Sequence, residues 1–291
     1  MKKITVFTPT FNRINLLEKV YKSLLNQTSK DFIWLIIDDG STDNTENVVK
    51  RWIEEKKISI KYYKKENGGK HSAYNYALNK IDTEYFIMAL DSDDTFVKEA
   101  IEYFEKCIEE LPKDYVGVVC LRSDNSCDRD KTCKKYDTSV LNGKSLRDSL
   151  INNLFNAECT FLFKTEYLVN FLFPIYKNEK FFTEAYLYYQ MNGKMLWKDK
   201  ITTIGEYLDD GLTKNKYKLF LNNPRSWKEF NYIRFTSNKN LILKIKYLVY
   251  YISFSIISKS TPFTESFKVN SAVVILYPLG LLGSILLKNK R

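Results

Sequence analysis

At 291 residues, with 44% hydrophobic and 27% charged side chains, the chain can fill one sizeable domain and an appendage, and its composition excludes a disordered chain. The net charge of +10 is lopsided: from residue 212 onward 14 Lys and Arg face only Glu229 and Glu265, a balance of +12, and the first 211 residues carry −2. Those basic residues alternate with long apolar runs, so an anionic membrane surface is the expected partner and nucleic acid is not.

The first half alternates between two periodicities. Ile4 to Thr8 reads as a buried strand, and Asn15 to Gln27 follows helical spacing, with Leu16, Leu17, Val20, Leu24 and Leu25 on one side. The apolar stretch in the opening MKKITVFTPTFNR is too short to read as a signal peptide. Phe32 to Ile37 is a second strand, after which the Ser41 hydroxyl offers an N-cap and Asn44 to Lys56 forms a helix. Ile58 to Tyr63, Lys70 to Lys80 and Tyr85 to Leu90 read as strand, helix and strand. Such alternation implies right-handed crossovers and a mostly parallel α/β sheet, which binds ligands beyond the carboxyl ends of its strands.

Further on, Val97 to Leu111 reads as a helix and Tyr115 to Leu121 as a strand. Arg122 to Asn142 is a polar excursion holding Cys127 and Cys133. With Cys107, Cys120 and Cys159 the cysteines are odd in number and form no CxxC pair, so free thiols are expected rather than a zinc site. Glu158 to Phe163 reads as a strand and Thr183 to Met191 as a helix. Composition turns basic and apolar past Gly211, giving an expected division into residues 1–210 and 211–291.

Three strand ends carry polar signals: TPTFNR (8–13), IIDDGSTD (36–43) and LDSDD (90–94). Three at one edge of a sheet suggest a single pocket. In Asp91-Ser92-Asp93, residues two apart in an extended chain project to one side, so the two carboxylates can face one cation. Hard carboxylate oxygens suit Mg²⁺ or Mn²⁺, and such an ion would neutralise the charge developing on a diphosphate leaving group. A turn or helix cap is the plainer reading of the same residues.

TPTFNR, IIDDGSTD, NGGKHSAYNYAL (67–78) and LDSDD, in that order, resemble the motif set of family 2 glycosyltransferases, which have the GT-A fold. The resemblance covers about the first 110 residues and continues through KFFTEAYL (180–187) and EYLDDGLTKN (206–215). It implies that Thr8, Pro9 and Thr10 line a nucleotide pocket, and that Asp39, rather than Asp38, accepts a hydrogen bond from the base, usually uracil. Ser41 or Asp43 would be turn or cap groups. Lys70 would lie near the base or phosphates, His71 would be a packed or surface residue, Asp93 would hold the metal, and Asp91 the ribose or the metal. The family's reaction is a displacement with inversion at the anomeric carbon, and it needs a carboxylate base. Glu184 in KFFTEAYL matches the acidic helix start that supplies it, although Ala185 stands where relatives often carry Asp; Glu179 and Glu158 are the other candidates.

In the tail, Leu241 to Ser258 is apolar except for Lys244 and Lys246, and Val269 to Leu287 is uncharged over 19 residues but interrupted by Pro278, Gly280 and Gly283. Interfacial or re-entrant helices with snorkelling lysines are expected, with one true span as the alternative. Together these features imply a metal-dependent transferase at the cytoplasmic face of the cell membrane. It would move sugar from a UDP-sugar or other nucleotide-sugar donor to a saccharide or lipid-linked acceptor in surface polysaccharide or glycolipid synthesis. A sugar-1-phosphate nucleotidyltransferase would need a Gly-rich loop where TPTFNR stands, and a non-catalytic relic would not need an intact DSDD.

Overall fold

A computed structural model describes residues 2–124, 136–205 and 216–289. The chain divides into two compact units, Met1–Leu172 with Met191–Tyr207, and Phe173–Gln190 with Leu208–Arg291. The expected boundary at residues 210 and 211, the EYLDDGLTKN segment, Cys127 and Cys133 lie outside the described residues.

The first unit opens with β1 (Ile4–Thr10), α1 (Ile14–Leu25), β2 (Phe32–Asp38), α2 (Thr45–Glu55), β3 (Ser59–Lys64), α3 (Lys70–Leu78) and β4 (Tyr85–Ile87). It continues through β5 (Asp94–Phe96), α4 (Ala100–Glu109), β6 (Tyr115–Asp124), α5 (Thr138–Leu141), α6 (Leu146–Ile151), β7 (Cys159–Lys164), α7 (Thr165–Leu168) and, after the excursion into the second unit, β8 (Lys194–Gly205). The strands form one sheet in the order β3-β2-β1-β4-β7-β6-β8-β5.

Alternating side chains give β1 and β2 two apolar faces, which is why both are covered. On one face Ile4, Val6, Trp34 and Ile36 pack with Leu17, Val20 and Leu24 of α1, Val49 and Trp52 of α2, and Phe104 of α4. Tyr21 stacks on Trp52 at 4.2 Å within this layer. On the other face Phe7 meets Tyr74 of α3 and Phe86 of β4, at 6.4 and 5.7 Å between ring centroids. Each large apolar side chain so buried contributes roughly 1.5–3 kcal/mol.

β3, β2, β1 and β4 run parallel, as the strand–helix alternation predicts. β7 pairs antiparallel with both β4 and β6, and β5 pairs antiparallel with β8, so the whole sheet is mixed. β4 stops at Ile87 instead of running to Leu90, because Ala89 turns the chain with φ 69°. A left-handed alanine costs on the order of 1 kcal/mol, and the Leu90 N–H bond to the Phe7 carbonyl at 2.8 Å helps hold it. The Ser41 hydroxyl does not cap α2, whose N-cap is Asn44; it accepts the Asn12 N–H at 2.9 Å. Cys107, Cys120 and Cys159 are free thiols, and burial pushes all three up, Cys107 to about 11 and Cys159 to about 12.

The second unit is helical: α8 (Ala185–Tyr188), α9 (Lys216–Asn222), α10 (Pro224–Ser237), α11 (Leu241–Ile257) and α12 (Phe267–Lys288). The helix expected over Thr183 to Met191 is a single turn here. Asn240 and Ser266 cap α11 and α12 through their side chains. The two helices meet at small residues: a Cβ on Gly280 would collide with Ile252, and the Ser253 hydroxyl donates to the Gly280 carbonyl at 2.9 Å. Leu248 and Tyr251 of α11 and Val273 of α12 are buried in a small core, while other apolar side chains of the two helices face solvent, Ile242 being 77% and Ile275 75% exposed. Among the described residues α12 is the one helix long and apolar enough to cross a membrane.

Candidate functional site

The parallel register aligns Thr10 with Asp38, and Leu90 is tied to Phe7, so three of the polar strand ends open at one edge of the first unit. The two aspartates of IIDDGSTD have different work. Asp38 is fully buried; it accepts the Ser41 N–H at 2.7 Å and the Tyr62 hydroxyl at 2.6 Å, which closes the turn. Asp39, nearly as buried, accepts the N–H groups of Gly68 and Gly69 at 3.0 and 2.6 Å and the Lys65 ammonium at 2.8 Å. A carboxylate has about four acceptor directions, so three bonds leave Asp39 room for one more donor. Asp43 caps locally, accepting from Ile14 and Thr45, and these bonds hold its carboxyl below the usual range against the effect of burial.

Residues of β1 divide in the same way. The Thr8 hydroxyl accepts the Trp34 indole N–H at 2.9 Å inside the core, and Pro9 is buried beside it. The Thr10 hydroxyl, at the strand end, is buried with no hydrogen-bond partner among the described residues. His71 is buried on α3, a packed residue as expected.

The DSDD segment is held from three sides. The Lys70 ammonium lies 2.8 Å from each oxygen of Asp91, and Asp91 Oδ1 is buried without a directed hydrogen bond. Arg13 reaches Asp93 at 3.4 Å. Asp94 is buried and grips the Arg122 guanidinium at 2.7 to 3.1 Å. Burial pushes Asp94 up to about 6, with the charges of Asp91 and Asp93 adding to it and Arg122 opposing. Arg122 also pairs with Glu158, and a Cβ on Gly205 would collide with its guanidinium. Neither Lys65 nor Arg122 stands out in the sequence; nothing local separates Lys65 from its neighbours in KYYKKEN.

Asp91 and Asp93 supply two hard oxygen donors, and among the described residues no group of three or more His, Cys, Asp or Glu could hold a metal. That donor set fits a divalent ion completing its shell with phosphate oxygens and water, and does not fit an all-protein cage.

The second unit carries the other acids. Glu184 immediately precedes α8 and is half-buried. Glu179 is committed to α10, accepting the Arg225 and Ser226 N–H groups at 2.8 Å each and the Ser226 hydroxyl at 2.7 Å. It thereby satisfies orphan donors of the helix start. Glu229, half-buried on α10, has its carboxyl raised by burial, with Lys228 and a hydrogen bond from Tyr176 opposing. Its one sequence signal is that it is an acid in a strongly basic stretch.

Residues 5–171 match the family described as Glycosyl transferase family 2. The chain belongs to that family. A family relative, the GalNAc(5)-diNAcBac-PP-undecaprenol beta-1,3-glucosyltransferase of Campylobacter jejuni, is 29% identical over 237 residues, covering 76% of this chain and 72% of the relative. An uncharacterised glycosyltransferase of Rickettsia conorii is 44% identical over 108 residues, and this chain spans only 17% of its length. Among solved structures, S. aureus TarS in complex with UDP-GlcNAc superposes with a TM-score of 0.59 at 17% identity, covering 94% of this chain and 79% of that one. The mannosyltransferase PcManGT of Pyrobaculum calidifontis, with GDP-Man and Mn²⁺, gives 0.56 at 15% identity, covering 98% and 84%. Likenesses at such identity establish the GT-A fold of this family member.

Proposed function

We propose that this family 2 member is an inverting glycosyltransferase moving a sugar from a UDP-sugar to a saccharide or lipid-linked acceptor. The observation that carries the reading is the convergence of Asp39, Lys70, Asp91 and Asp93 at one sheet edge. Asp39 keeps one acceptor direction for the N–H of a base edge, and Thr10 keeps an unused hydroxyl at the neighbouring strand end. Thr8, spent on Trp34, and Pro9 shape the pocket floor through the backbone. Asp91 and Asp93 hold Mn²⁺ or Mg²⁺, which stabilises charge developing on the diphosphate. PcManGT was solved with Mn²⁺.

Glu184 takes the acceptor hydroxyl proton in this reading. Glu229 is the rival, a half-buried acid on α10 whose carboxyl burial raises. The lipid-linked acceptor is supported by the Campylobacter jejuni relative, a glucosyltransferase named for an undecaprenol-linked substrate. The basic, apolar region from residue 211 onward binds the cytoplasmic membrane face, in the plane of the interface, with its lysines among headgroups. The test is a panel of nucleotide sugars with Mn²⁺: UDP release from one donor, with a glycosylated product identified by mass, supports the reading. Absence of release from every donor sinks it.

A further inference from the structure

Two ammonium groups from one short segment lie on two of the three aspartates that the donor site uses. Lys65 pairs with Asp39 and Lys70 with Asp91, each at 2.8 Å. The pairs are unlike in their surroundings. Lys65 and Asp39 are 17% and 6% exposed, and Lys65 is also bound to the Ser72 hydroxyl at 2.8 Å. Lys70 and Asp91 are both 38% exposed. Lys65 is therefore a fixed brace, whereas the Lys70 pair is of the partly solvated kind that contributes little stability and separates easily.

The Lys70 ammonium also sits astride the carboxylate, 2.8 Å from Oδ1 and from Oδ2. A Mg²⁺ or Mn²⁺ ion would need a carboxylate oxygen at about 2.1 Å, and the ammonium lies against both oxygens of Asp91. Two cations crowded onto one carboxylate repel each other. Lys70 has a long flexible stem, and its backbone stays anchored when its head moves, because it opens α3 directly after the Gly69 N–H held by Asp39. The same helix start presents its positive end to an anion.

We propose that Lys70 is an exchangeable counter-ion: it competes with the divalent cation for Asp91, and the diphosphate of the nucleotide takes over the displaced ammonium. Metal and nucleotide then bind in synergy through this one side chain. This rests on the donor-site reading above. A lysine that merely tied α3 to the metal loop would act differently, since its loss would weaken both ligands together. Exchange requires opposite signs.

The test is calorimetric titration of Mn²⁺ into the full chain in detergent, without UDP and at saturating UDP, for the parent, Lys70→Met and Lys70→Arg. In the parent, UDP tightens Mn²⁺ binding, and by reciprocity Mn²⁺ tightens UDP by the same factor. Lys70→Met is expected to bind Mn²⁺ alone about 2- to 5-fold more tightly, as loss of a weak competing pair implies. The synergy factor should fall about 5- to 10-fold, and Lys70→Arg should restore most of it. Lys70→Gln, which keeps a polar head, is the second variant should the methionine variant fail to fold. Unchanged or weaker Mn²⁺ affinity in a folded Lys70→Met or Lys70→Gln protein overturns the exchange. If the parent binds neither Mn²⁺ nor UDP, the donor-site reading itself fails and takes the exchange with it.

Discussion

Five aspartates crowd the strand-end region, and each faces a named counter-group: Tyr62 and a backbone N–H for Asp38, Lys65 and two glycine N–H groups for Asp39, Lys70 for Asp91, Arg13 for Asp93 and Arg122 for Asp94. The region after residue 211 is organised the other way. There 14 Lys and Arg meet two acids, and apolar side chains of α11 and α12 face outward. Charge gathered for chemistry is surrounded by opposite charge, because desolvated like charges are costly. If the tail binds an anionic surface, as proposed, its charge can remain exposed and uncompensated by the chain, because the partner supplies the opposite sign.

The sharpest way to break this comparison is to remove one proposed metal ligand. Asp93→Asn should lower turnover about 10³-fold or more, since a metal supplies several kcal/mol of transition-state charge stabilisation and 1.36 kcal/mol is tenfold in rate. EDTA should abolish activity in the parent and added Mn²⁺ restore it. Steady-state kinetics showing a fully active Asp93→Asn would remove the metal role from this strand end.

A smaller effect separates the two candidate bases. Glu184→Gln should cost about 10²-fold or more in kcat and leave UDP affinity unchanged, the scale of general-base catalysis. If Glu229→Gln shows that loss and Glu184→Gln does not, proton removal belongs to α10. Next in size is base reading. UDP should bind more tightly than ADP, by about tenfold for one charge-assisted hydrogen bond, and Asp39→Ala should erase the difference. Equal affinities in the parent by calorimetry would refute the uracil contact.

How legible these features were depended on how local their causes are. β1, β2, α1 and α2 announce themselves because each carries its buried apolar pattern within about a dozen residues. β8 is not legible in the sequence: its KMLWKDKITTIG run carries charges in the middle, and its pairing with β6 shifts register there. β5 has three residues and exists through its partner β8. Asp39, Asp91 and Asp93 could be picked out because they end strands. Arg122 could not, since its meaning comes from Asp94, 28 residues away, and from the space left by Gly205. The turn after β2 misled for a similar reason: the Ser41 hydroxyl serves Asn12 in the preceding loop and not the helix that follows.

The last prediction concerns the tail and has the smallest effect per residue. Each lysine near an anionic surface contributes roughly 1 kcal/mol, and salt screens it, whereas burial of apolar faces does not depend on salt. High salt should therefore release the protein from anionic vesicles only in part, and detergent should release it fully. Replacing Lys244 and Lys246 by Ser should weaken vesicle binding by about fivefold for each lysine at low salt and by little at high salt. The place to cut the chain also matters. Tyr232 and Phe235 of α10 pack against Tyr251 and its neighbours in α11, and Arg234 lies 3.7 Å from the Tyr247 ring centroid, so truncation near Thr236 strips α10 of a partner. Removing the chain after Ser260 deletes α12 with the segment leading into it and keeps the α10–α11 packing, at the cost of the Ser253–Gly280 contact. The shortened protein should stay folded by its melting curve, lose most of the salt-resistant vesicle binding, and still release UDP from a donor. A shortened protein that binds vesicles as tightly as the parent in high salt would show that α12 is not the membrane-facing element.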